Sequence, residues 1–231
     1  MLFLILAESA LETIPPKVWR HPLIVKHSKK RGVHPSSIIL DRSYHHKVMG
    51  LLDCPEKRGR PDIVHFALLE ALGSPLNREG LLKVYVHTIS DKVINIRSDT
   101  RLPRNYNRFV GLMEQLFEVG SVPPGEEPLL WIEDKDLKSL IEDISPSKVV
   151  GFSLEGAPST IRDLIGGLKN LENPAVIIGG FPHGSFNEET KSLFDEVYSV
   201  DREVLDASII VSRVIYEYEN LLSISKKRLK A

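Results

Sequence analysis

The sequence predicts an α/β fold in which a parallel sheet is covered by helices on both faces. Two observations carry this. From residue 129 onward, short apolar runs alternate strictly with segments of helical spacing, the mark of repeated strand–helix units. The chain also opens on MLFLILAES, an apolar run with the length of a buried strand and no basic leader, so it reads as neither a signal peptide nor a membrane span. At 231 residues the chain suits one domain, or a domain with a large insertion. Its 42% hydrophobic and 26% charged residues are those of an ordinary soluble protein. A net charge of −1 confines any nucleic-acid binding to local patches. The lone cysteine, Cys54, excludes an intramolecular disulfide and points to a reducing compartment. No zinc-ligand spacing occurs, and His45 and His46 have no third ligand in sequence, so no metal is expected.

Residues 1–7 read as the first strand, followed to about residue 21 by a segment broken at Pro15 and Pro16. Residues 26–62 form a basic subregion, with KHSKKRGVHPSS and CPEKRGRPD flanking an apolar stretch. IVHFALLEALG, from Ile63, has helical spacing, with Asp62 at the expected N-cap and Gly73 at the expected C-terminal cap. Residues 82–88 and 93–96 alternate as a strand pair. Pro103 opens a helix running to about residue 119, and GSVPPGEEP then reads as a linker and a boundary. Strands are expected at 129–132, 149–152, 175–178 and 197–200, and helices at 135–143, 159–168, 187–196 and 204–222.

Ligands of such sheets lie at the carboxyl ends of the strands, which singles out residues 153–158, 179–186 and 200–205. In IIGGFPHGSF, Gly179 and Gly180 let a ligand approach the main chain. The spacing is neither that of a Walker loop nor that of a dinucleotide fingerprint, so a tight structural turn and a ligand loop both remain open. With Pro103 as helix start, Arg104, Arg108, Gly111 and Gln115 share a stripe opposite the apolar residues, and Arg101 precedes it. A solvated face is the plain reading. The arginine forks, suited to phosphates and bases, and the room left by Gly111 favour recognition.

The set SLEGAP, IIGGFPHGSF and YSVDREVLDAS resembles the cofactor loops of SPOUT methyltransferases, whose sheet ends in a trefoil knot and binds S-adenosylmethionine. More narrowly, GGFPHG, GRPDIVHFALLEALGSPLN and LPRNYNRFVGLMEQL resemble the pseudouridine N1-specific methyltransferase family of ribosome biogenesis, over nearly the full length. The resemblance implies a single SPOUT domain over residues 1–231 with a basic insertion at roughly 26–62 and a strand pair at roughly 82–96. It implies cofactor contacts from Leu154, Gly179, Gly184, Val200, Asp201, Arg202, Glu203, Val204 and Leu205, the acidic and basic residues among them mainly through their backbone. Gly180, Ser185 and Phe186 stand beside them. Arg60, Arg101, Arg104 and Arg108 are expected on the substrate RNA, with Asp62 orienting Arg60 and no catalytic base assigned. Lys29, Lys30, Arg31, Lys57 and Arg58 would add phosphate attraction.

The implied reaction is an in-line transfer of the sulfonium methyl to N1 of an everted pseudouridine in small-subunit ribosomal RNA. A homodimer is expected through Ile209, Ile210, Val214, Ile215, Tyr218, Leu221 and Leu222, in the cytoplasm and away from membranes. Three rivals remain: an RNA-binding assembly factor whose methyl transfer is dispensable, a SPOUT enzyme for another base, and a generic α/β nucleotide-binding enzyme.

Overall fold

The computed structural model describes residues 1–230. After β1 (Leu2–Ser9) comes an insertion holding α1 (Pro22–Arg31) and α2 (Arg42–Met49). Next come α3 (Pro61–Gly73), the short α4 (Pro75–Arg78), and the hairpin of β2 (Leu82–Thr88) and β3 (Lys92–Ile96). Then follow α5 (Tyr106–Val119), β4 (Ser121–Val122), β5 (Leu130–Asp134) and α6 (Leu137–Ile144). The C-terminal part consists of β6 (Val149–Pro158), α7 (Ile161–Gly167), β7 (Ala175–Gly179), α8 (Glu188–Lys191), β8 (Glu196–Ser199), α9 (Ala207–Leu222) and α10 (Ile224–Arg228).

One sheet joins the strands in the order β4-β5-β3-β2-β1-β7-β6-β8. The run β2-β1-β7-β6-β8 is parallel throughout, as expected for β6, β7 and β8, whereas β5, expected with them, pairs antiparallel with β3 and β4 at the other side of the sheet. The sheet as a whole is mixed, because β3 and β5 run antiparallel to their neighbours. A three-residue turn joins β2 to β3, which suffices for a hairpin but not for a crossover. The linker expected at 120–128 is instead a tight connection inside the sheet, with β4 paired to β5.

Alternation along β1 assigns its side chains to two layers. Leu2, Leu4 and Leu6 join Val64 and Leu68 of α3 and Val211 and Val214 of α9 in the main core. Phe3, Ile5 and Ala7 join Leu137 and Leu140 of α6 and Phe186 in a second core. The insertion has a small core of its own, built by Ile14, Val18, Ile24, Ile38, Leu40, Val48, Met49 and Leu52.

Five boundaries differ from the sequence reading. Asp62 is not the N-cap of α3: Arg60 holds that position, Pro61 is first in the helix, and the Asp62 carboxylate faces Arg60. Gly73 is the last residue inside α3, and Ser74 caps it. Helix α5 starts at Tyr106, not Pro103, because the Asn105 side chain accepts the Arg108 amide and closes the first turn. Helix α8 stops at Lys191, where Leu193 and Phe194 turn into the second core and Asp195 is drawn onto Val149. Helix α9 begins at Ala207, leaving residues 200–206 as a loop.

Candidate active site

The carboxyl ends of β6, β7 and β8 enclose a cavity of about 670 Å³. Strand β6 supplies one wall through an excursion, since its register against β8 shifts between Phe152 and Ala157. Gly156 permits that excursion; a Cβ there would lie 2.6 Å from the Tyr198 carbonyl carbon. The loop after β7 supplies residues 181–186, and the loop after β8 supplies most of residues 200–206. The start of α3 closes the fourth side with Arg60, Asp62, Ile63 and Phe66.

Of the expected cofactor residues, Leu154, Gly179, Gly184, Val200, Asp201, Glu203, Val204 and Leu205 line this cavity, together with Ser185 and Phe186. Arg202 is exposed and does not line it. The Glu203 amide is already committed to Asp201 Oδ1 at 3.1 Å. The two adjacent glycines have different duties. Gly180 is a packing residue: its amide donates to Ala7, its carbonyl accepts from Ala10, and a Cβ would sit 2.1 Å from Ser9 Oγ. Gly179 faces the cavity, and a Cβ there would meet the Phe181 ring at 2.9 Å. Gly184 has φ 98°, a conformation that glycine adopts without steric cost.

Arg60 and Asp62 form a bidentate pair, Nε to Oδ1 at 2.8 Å and the terminal nitrogen to Oδ2 at 2.7 Å. That bond holds the guanidinium firmly charged, pushing its pKa further up. Arg101, Arg104 and Arg108 are exposed and stand outside the cavity lining. Of the expected stripe, Arg108, Gly111 and Gln115 are on α5 and exposed, while Arg104, like Arg101, lies in the segment before it. That segment is nevertheless docked against α3. His65 Nε2 lies 2.7 Å from the Pro103 carbonyl, and its ring stacks on Phe109 with centroids 4.3 Å apart. His65 escaped the sequence reading because a buried histidine in an apolar helix gives no spacing signal. Phe181 and Tyr198, which do line the cavity, were missed because one aromatic in a loop and one in a short strand read as ordinary packing residues.

Three cations of the basic subregion are paired with acids from outside it. Lys57 is buried against Glu8, Arg58 donates twice to Glu12 at 2.6 and 2.7 Å, and Arg31 donates to both oxygens of Glu114. The phosphate role expected of Lys57 and Arg58 is therefore corrected to a structural one; Arg31, though paired, stays exposed, as do Lys29 and Lys30. The apolar stripe of α9 is likewise mostly core, with Ile210, Val214, Ile215 and Tyr218 buried and Ile209 and Tyr216 left outside.

The sequence model of the EMG1/NEP1 methyltransferase family matches residues 4–219. The ribosomal RNA small subunit methyltransferase Nep1 of Thermococcus kodakarensis is 48% identical over 224 residues, 97% of this chain and 100% of that protein. Its namesake from Pyrococcus furiosus is 47% identical over 218 residues, 94% of this chain and 96% of the relative. Among solved structures, Archaeoglobus fulgidus Nep1 bound to S-adenosylhomocysteine superimposes with a TM-score of 0.83 at 40% identity, over 95% of this chain and 98% of that one.

Proposed function

The chain belongs to the EMG1/NEP1 methyltransferase family, and on that premise we propose that it methylates small-subunit ribosomal RNA with S-adenosylmethionine, at N1 of a pseudouridine. One observation carries the reading: the Arg60–Asp62 pair opens onto the same cavity as the three loops at the carboxyl ends of β6, β7 and β8.

The residues present suit the cofactor. The cavity falls within the roughly 300–1,000 Å³ usual for small-molecule sites. Leu154, Val200, Val204 and Leu205 offer an apolar slot for an adenine, and Gly179 and Gly184 keep side chains out of the way of a ligand following the main chain. Such a cofactor supplies an electrophilic methyl on sulfonium, so the chain's main contribution is alignment. Arg60, fixed by Asp62, is placed to hold the entering nucleotide. Both Asp62 oxygens are engaged by Arg60, which supports an orienting role over that of a base. No side chain is assigned as base, and the N1 proton is given to water.

Arg101, Arg104 and Arg108 extend the contact outside the cavity, where they hold the RNA flanking the everted base. The homodimer remains part of the proposal on family grounds, with Ile209 and Tyr216 as the exposed apolar residues of α9. No helix among the described residues is long and apolar enough to cross a membrane. The test is transfer of a radiolabelled methyl to a pseudouridine hairpin and to its uridine counterpart. Label in the first alone is expected; equal labelling, or none, removes the assignment.

A further inference from the structure

A buried ion pair ties the substrate side of the cavity to the loop that follows β7. Glu8, next to last in β1, has φ 49°, in the left-handed region that residues other than glycine seldom occupy. Its amide donates to His87 Nδ1 at 3.3 Å. Its carboxylate takes two donors, the Lys57 ammonium on Oε2 at 2.5 Å and the Asn187 backbone amide on Oε1 at 2.9 Å. Both side chains are buried, at 5% and 9% exposure.

Lys57 has further neighbours on that loop. Its ammonium lies 4.6 Å from the centre of the Phe181 ring, within range of a cation–π attraction. Its Cε also passes 3.4 Å from the position a Cβ on Gly184 would take. The pair therefore touches the loop at its start, middle and end: Phe181, Gly184 and Asn187. Lys57 lies three residues before Arg60 in the chain. A buried ion pair returns little stability, because desolvation offsets the attraction between the charges. What this one secures is the relative placement of two segments.

We propose that Glu8 and Lys57 are positioning residues for the cofactor site, holding residues 181–187 in their binding shape and setting that loop against the segment that carries Arg60. The inference rests on the cofactor reading of the cavity given above. It assigns the pair no contact with either substrate; its effect passes through Phe181, Gly184 and the Asn187 amide.

The test removes both charges at once. Lys57→Met or Glu8→Gln alone strands a buried charge, and each is expected to lower the melting temperature. The double variant strands none, and is expected to melt near the wild type. In calorimetry it should bind S-adenosylhomocysteine at least about tenfold more weakly than the wild type, as displaced site geometry does. With saturating S-adenosylmethionine, its kcat on a pseudouridine hairpin should return to within about twofold of the wild type, so the loss appears in KM for the cofactor. A double variant that melts and binds like the wild type overturns the proposal. So does one that binds normally but loses kcat. Should the double variant not fold, Glu8→Gln, which keeps an acceptor for the Asn187 amide, takes the same binding and kinetic measurements, and normal cofactor binding by it overturns the proposal. Wild-type protein that fails to bind S-adenosylhomocysteine overturns the cofactor reading and this inference together; wild-type binding with an unaltered double variant overturns this inference alone.

Discussion

Lowering the pH from about 8 to about 5 is expected to remove about 2 kcal/mol of stability through His45 alone. The ring is fully buried between α1 and α2. Its Nδ1 accepts the Asp41 amide at 3.0 Å, so the neutral ring carries its proton on Nε2 and donates to His27 Nδ1 at 2.8 Å. Burial, and after it the neighbouring His27, hold the folded pKa down at about 4, against 6.5 for an ordinary imidazole. His27 is lowered too, by burial first and then by Arg31.

The sign follows from which state binds the proton first. With the folded pKa below the unfolded one, the unfolded chain protonates earlier as pH falls. The contribution of the neutral ring is thus complete above 6.5 and is lost progressively from there towards 4. At about pH 5, proton binding favours the unfolded ring by a factor of about 30, which is about 2 kcal/mol. The assay is urea unfolding at both pH values for the wild type and for His45→Asn, whose amide oxygen can still accept the Asp41 amide. The wild type should lose about 2 kcal/mol more than the variant across the window. Equal losses refute the reasoning. Because Asp41 also accepts the Tyr106 hydroxyl at 2.5 Å, the loosening should extend to the start of α5, beside Arg104 and Arg108.

Two further outcomes are expected. Arg60→Ala should weaken binding of a target hairpin by about 1–3 kcal/mol while leaving S-adenosylhomocysteine affinity unchanged; calorimetry showing unaltered RNA affinity takes Arg60 out of the site. The adjacent glycines should separate cleanly. Gly179→Val should abolish cofactor binding by filling the cavity wall, whereas Gly180→Ala, whose Cβ would lie 2.9 Å from the Ser9 Cα, should cost about 1–3 kcal/mol of stability in thermal melts.

Much of this molecule was legible along the chain because the signals involved are local. The alternation of MLFLILAES follows from a strand's two-residue repeat, which is why its residues divide between two cores. The three loops that meet at the cavity were visible as breaks after apolar runs, since an α/β sheet places such breaks at one edge. Arg60 and Asp62 stand two residues apart, close enough for their pairing to be anticipated. Helix starts fared worse. Pro103 and Asn105 are both plausible beginnings, and only the Asn105 contact with the Arg108 amide decides between them.

What the chain order leaves open is the partner of each charge. Lys57, Arg58 and Arg31 look alike in a basic run, yet each is matched by an acid 49, 46 and 83 residues away, and Lys57 and Arg58 are thereby withdrawn from solvent. The same holds for Gly179 and Gly180, identical neighbours of which one borders a cavity and the other packs on Ser9. Composition and periodicity thus determine which segments become strands and where the chain bends. Whether a given cation is free to meet RNA depends on which carboxylate the folded sheet brings beside it, and no local pattern encodes that distance.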